Sequence, residues 1–209
     1  MIGIGMPLLK HKKTAGFTLI ELLVSMAIGL AVIAAVAGTF TAQTRQNNAE
    51  EQIAQMQQNV RGALDLMLRE IQMAKYNPAA TATAFSSGYG VTYNASQLEV
   101  KADMNGDEAI STSSGSVEDI IYAYDATNMY ITRKLGSSGT AEIVADNITA
   151  FTFNYYDANG NAVTSSANSG NIRKVTVNIT ARTAKPDPNI GGYRTYQISA
   201  DITPPNMAL

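Results

Sequence analysis

The chain has no cysteine, no tryptophan and a single histidine among its 209 residues. Without cysteine there are no disulfides, no thiolate nucleophile and no cysteine-type zinc site. His11 lies upstream of a long apolar run, so removal of residues 1–16 would leave no histidine at all. The commonest general base and the commonest metal ligand would then go together. Only carboxylate, hydroxyl, lysine or tyrosine chemistry would remain, and the composition speaks against an enzyme. Basic runs are missing outside residues 10–13, and the aromatic residues are not interleaved with Lys or Arg. Nucleic acid is therefore not an expected partner. The length suits one moderate globular domain with an attached helix, not two full domains.

What the chain does have is an uncharged stretch of membrane length. Residues 22–40 carry no formal charge and are mostly Leu, Val, Ile, Ala and Met. At about 1.5 Å rise per residue, such a helix approaches the roughly 30 Å hydrocarbon core of a bilayer. Glu21 stands at its edge. An unpaired charge at mid-membrane costs roughly 2.5–3.5 kcal/mol on the insertion scale, and less near an end. The expected partner is a positive charge from another helix of the same kind. Lys10, His11, Lys12 and Lys13 precede the run, and such charge holds that end in the cytoplasm. Loss of residues 1–16 would leave 12 basic against 17 acidic side chains, a formal charge of −5.

Two readings of this region compete. In one it is a secretory signal cut after Ala35-Val36-Ala37, and the mature chain starts at Gly38. In the other the cut falls after Gly16 and the apolar run stays as an anchor. Glu21 and the continuation of the helical pattern to about Tyr76 favour the second. So does the run Gly16-Phe17-Thr18-Leu19-Ile20-Glu21, which resembles the processing site of type IV pilins and type II secretion pseudopilins. The resemblance implies cleavage between Gly16 and Phe17 by a prepilin peptidase, which also methylates the new Phe17 amine. It implies that Glu21 pairs with a neighbouring subunit's terminal amine during filament assembly. The chain departs from the pattern of major pilins in having Gly38 where proline is common, and in the position of Gly29.

Past Thr39 the chain becomes polar but keeps a helical period. Ile53, Met56, Val60, Leu64, Met67, Ile71 and Ala74 recur at steps of three or four and draw one apolar stripe. Asn77-Pro78 ends the helix, because the residue before proline is pushed out of the α region. From residue 78 onward Thr, Ser, Gly, Asn and Tyr dominate. Alternation predicts strands at 90–93, 97–101, 117–124, 129–134, 151–156, 172–181 and 193–202. Turns are expected at 125–128 and 157–160, and loops at 80–88, 111–116, 136–140 and 164–170. The expected fold is α+β: a long N-terminal helix, half transmembrane and half amphipathic, packed on an antiparallel β-sheet head. The organisation expected is a leader at 1–16, an anchor at 17–40, an amphipathic helix at 41–77 and a β-rich head at 78–209. The stretch Val60-Arg61-Gly62-Ala63-Leu64-Asp65-Leu66-Met67-Leu68-Arg69-Glu70-Ile71, followed by Ile121-Tyr122-Ala123-Tyr124 and Ile131-Thr132-Arg133, resembles PilW-type minor pilins and J-type minor pseudopilins.

One loop suggests a ligand. Asp103, Asn105 and Asp107 space oxygen side chains two apart, as in loops that wrap calcium. Glu108 stands where an EF-hand loop needs glycine, and Ser114 where its bidentate carboxylate would be. Glu118 or Asp119 are the nearest residues able to complete a different loop. The competing reading is a polar turn, since Asn-Gly is itself a turn signal. Asp157-Ala158-Asn159-Gly160-Asn161 looks similar and reads better as a hairpin.

Taken with the resemblance, the expected function is that of a minor type IV pilin in the initiating or tip complex of a pilus. It would be anchored once in the bacterial inner membrane, with its head in the periplasm and later in the filament. Other pilins or pseudopilins and the prepilin peptidase are its expected partners. The near alternative is a minor pseudopilin of a type II secretion system. From another class comes a secreted β-rich binding or adhesion module released after Ala37. A hydrolase using Asp103, Asp107 or Glu118 has no distinct acid and base pair in the sequence.

Overall fold

The computed structural model describes residues 16–79 and 90–207. The leader before Gly16 and the loop expected at 80–88 lie outside the described residues. Helix α1, Leu19–Gln72, runs unbroken for 54 residues. The chain divides into two compact units, Met1–Gln46 and Asn47–Leu209. Within the first, every described residue is exposed except Gly29, which is partly covered. Ile28, Leu30, Val32, Ile33 and Phe40 are among its large exposed apolar side chains. This helix is long and apolar enough to cross a membrane, by length and composition.

The second unit behaves as the helical period predicts. Met56, Val60, Leu64, Met67, Ile71 and Ala74 are all buried, with Ala63 beside them and Ile53 packed at the edge. The helix stops at Gln72, and Lys75 follows in the left-handed region, φ 60, with its N–H donated to the Lys101 carbonyl at 2.9 Å. Gly90 passes so close that a Cβ there would fall 2.2 Å from the Lys75 nitrogen, so this contact requires glycine.

Eight strands follow among the described residues: β1 Val91–Thr92, β2 Gln97–Lys101, β3 Asp119–Asp125, β4 Tyr130–Leu135, β5 Ala141–Ala145, β6 Ile148–Tyr156, β7 Lys174–Arg182 and β8 Thr195–Ile202. They form two antiparallel sheets, ordered β1-β2-β3-β4-β5 and β6-β7-β8. The class is the α+β that the sequence predicts, with a pair of sheets in place of one. Alternation tells which face of a strand is buried, but not where a ladder ends. Here it ends between β5 and β6, at a turn in which Asn147 is left-handed, φ 54. The helix stripe, Leu98, Val100, Ile120 and Tyr122 of the first sheet, and Val175, Val177 and Ile179 of the second share one core. Strand β5 lies outside every predicted run; most of it is exposed, and Ala-Glu-Ile-Val-Ala does not alternate cleanly. Most of the expected loop at 164–170 forms a short 3₁₀ helix, Ser166–Asn171, which ends one residue beyond it.

Met67 is fully buried in this core. Met67→Ala should therefore lower the unfolding free energy of the head by about 3 kcal/mol, from lost transfer energy and the cavity left behind. Chemical denaturation in detergent micelles checks this, with Ile33→Ala in the exposed segment as the neutral comparison.

Candidate functional site

At the start of α1, Thr18 and Glu21 form a reciprocal cap. The Thr18 N–H and hydroxyl both donate to Glu21 Oε2 at 3.0 Å, and the Glu21 N–H donates to Thr18 Oγ1 at 3.3 Å. Thr-x-x-Glu is the capping-box pattern, in which two otherwise orphaned donors are satisfied together. Both bonds fall on Oε2, and Oε1 accepts none from the described residues. Glu21 is exposed, as is Phe17 at 87 %. Gly16 has open space where a Cβ would sit and does not occupy the left-handed region. Nothing in the described residues demands glycine at that position. Sequence reasoning treated Glu21 as an assembly charge and missed the cap, although its signature was legible.

In the head, Glu70 reaches from α1 to the first sheet. Arg133 of β4 donates through Nε to Glu70 Oε2 at 3.1 Å and through Nη2 to Oε1, a two-pronged contact. The Tyr122 hydroxyl of β3 donates to the same carboxylate. Tyr122 and Arg133 are cross-strand partners, so the β3–β4 register delivers both to one point on the helix. The Glu70 and Arg133 side chains are 13 % and 17 % exposed, which limits solvent screening. Burial pushes the Tyr122 phenol well above its ordinary range, and the hydrogen bond to Glu70 adds to the shift. Tyr155, whose hydroxyl donates to the Asn94 carbonyl at 3.1 Å, is also raised by burial.

The calcium-like loop folds around its own amides. Asp103 is fully buried, and its two oxygens accept the Gly106 N–H at 2.7 Å and the Glu108 N–H at 3.1 Å. Asn105 Oδ1 accepts the Asp107 N–H, and Asp107 Oδ1 accepts the Ala109 N–H. Glu118 closes on the same loop, accepting the N–H groups of Met104, Asn105 and Ser111. Asp119 instead accepts the Ser137 hydroxyl at 2.6 Å. The structure thus brings Asp103 and Glu118 to one loop and leaves Asp119 apart. Among the described residues, no three His, Cys, Asp or Glu side chains stand together as a metal-holding group. Asp157 caps its turn through the Asn159 and Asn161 N–H groups, each at 2.8 Å, and the Asn161 side-chain amide is the leading cause of its lowered pKa. An antiparallel bridge from Tyr156 to Ala162 makes that turn a small hairpin.

Residues 11–37 match the family model of the prokaryotic N-terminal methylation motif. This is the prepilin-type leader, and the match is consistent with the pilin and pseudopilin superfamily. It implies processing by a prepilin peptidase and assembly with other pilins, and with the apolar helix it fits inner-membrane anchoring. No curated protein matches the chain.

The two raised phenols set an alkaline limit. Unfolded tyrosines ionise near pH 10 while these two stay protonated in the fold, so the unfolded chain releases protons first. Stability is full below about pH 10 and falls as pH rises beyond it. Denaturation midpoints at pH 9 and 11 should drop for the wild-type head, and Tyr155→Phe should make that drop smaller.

Proposed function

We propose that the chain is a minor type IV pilin, carried in the inner membrane by residues 17–40 and built into the initiating or tip complex of a pilus. The observation that carries this reading is the methylation motif at residues 11–37, set on an apolar helix whose described side chains are exposed. A helix exposed along that length needs either lipid or other helices around it. In the membrane it has lipid; in a filament it would have the helices of neighbouring subunits. The head, periplasmic before assembly, presents its loops and sheet edges to partner subunits. The role is structural and associative.

Glu21 would serve twice on this reading. Oε2 closes the cap of its own helix, and the outward Oε1 receives the methylated Phe17 amine of an adjacent subunit. Opposite charges brought together in low dielectric stabilise one another, whereas either alone is penalised. Gly16 would be required by the peptidase. The same chemistry serves a minor pseudopilin in a short periplasmic filament, which is the alternative within the superfamily.

Two substitutions separate the functions of Glu21. Glu21→Val should leave the chain in the membrane fraction but remove it from sheared filaments. Thr18→Ala loses about 1 kcal/mol of capping yet keeps the carboxylate, and should still be incorporated. Normal incorporation of Glu21→Val, or equal failure of both variants, would show that the carboxylate has no assembly role beyond the cap.

A further inference from the structure

A second polar feature lies within the head, away from the loops that the sequence singled out. A cavity of about 190 Å³ opens between the helix residues Gln52, Gln55 and Asn59, the β5–β6 turn at Asp146 and Asn147, and Arg182 at the end of β7. Its construction is specific. Asn59 donates to the Asp146 carbonyl at 3.1 Å and to its carboxylate at 2.8 Å, which pins the turn to the helix. Gln52 Oε1 accepts the Lys185 N–H at 3.0 Å and pins the chain leaving β7. Arg182 is held by its backbone, whose N–H donates to the Asn147 carbonyl at 2.9 Å, and by its guanidinium, whose carbon lies 4.2 Å from the centre of the Tyr193 ring.

Stacking on a ring fixes the guanidinium plane and leaves its N–H edge to find acceptors. Nε of Arg182 finds none among the described residues. Its Nε is buried and has no hydrogen-bond partner, and no carboxylate of the described residues lies within 4.0 Å of the group. A buried, oriented N–H without an acceptor is costly, and natural structures rarely leave one without a reason. The terminal Nη groups, which are not closed off in this way, match a planar carboxylate, which accepts two N–H bonds from them. Asp146 also lines the cavity and offsets part of the cationic charge. That balance suits a singly charged acid better than a phosphate dianion.

We infer that this cavity is a carboxylate-binding site anchored by Arg182 and Tyr193. Its ligand is an acidic group, supplied either by a side chain of another copy of the chain or by a free organic acid. The site does not depend on the pilin reading, and its test leaves Glu21 untouched.

The side-chain Nε–H resonance of Arg182 gives a direct readout in ¹⁵N-labelled full-length protein in detergent micelles, assigned by its loss in Arg182→Lys. Acetate should move this resonance saturably. Acetamide, inorganic phosphate and sodium chloride, with ionic strength held equal, should act at least about tenfold more weakly, since each lacks the single planar acid. Raising the protein concentration alone separates the sources. A concentration-dependent shift that acetate competes away assigns the acid to a second copy, and a shift seen only with the added probe assigns it to a free acid. An unmoved resonance means that no acid reaches Arg182, and an equal response to acetamide or sodium chloride means that no carboxylate is recognised. Either result overturns the site, as does a stronger response to phosphate.

Discussion

The head depends on one packing event: the burial of a single helical stripe against two sheets at once. Met56, Val60, Leu64, Met67, Ile71 and Ala74 place an apolar side chain on the same face at nearly every turn. Each large side chain so buried contributes roughly 1.5–3 kcal/mol. Buried side chains of β2, β3 and β7 join those of the helix in one core, so both ladders share it. The first half of the same helix is more apolar still; its described side chains are exposed, and it is long and apolar enough to cross a membrane.

Against that background the Glu70, Arg133 and Tyr122 cluster fixes alignment more than it adds stability. The net worth of a partly buried ion pair is modest, because desolvation offsets much of the attraction. Its geometry is demanding, however. The β3–β4 register sets Tyr122 opposite Arg133, and the helix must present Glu70 at the same level for both to reach it. A slip of one residue in either strand would turn the partner away from the helix. The loop at 103–118 uses the same device on a smaller scale, with Asp103 and Glu118 oxygens replacing a strand ladder as acceptors for backbone N–H groups.

Periodicity made much of this legible. The stripe from Ile53 to Ala74 is legible position by position, Ala63 excepted, because a step of three or four has few explanations besides a covered helix face. Strands at 97–101 and around Val175, Val177 and Ile179 were equally plain, since clean alternation marks a sheet with one buried side. Strand β5 was not legible because most of it is exposed, and the break between the sheets was not because pairing is a long-range choice. The Arg133–Glu70 contact joins residues 63 apart and leaves no local trace. Glu21 is conspicuous at the edge of an apolar run, and Thr18 three residues before it spells a capping box. The cavity at Arg182 has no sequence signature, since it exists only where the helix, the β5–β6 turn and the end of β7 meet.

The central claim is that residues 1–16 form a removable leader and the apolar helix remains as the start of the mature chain. Mass spectrometry of the N-terminus, on protein recovered from membranes that contain a prepilin peptidase, tests it most directly. A chain beginning at Phe17 with a methylated amine is expected. A chain beginning at Gly38, or one that keeps residues 1–16, would contradict it.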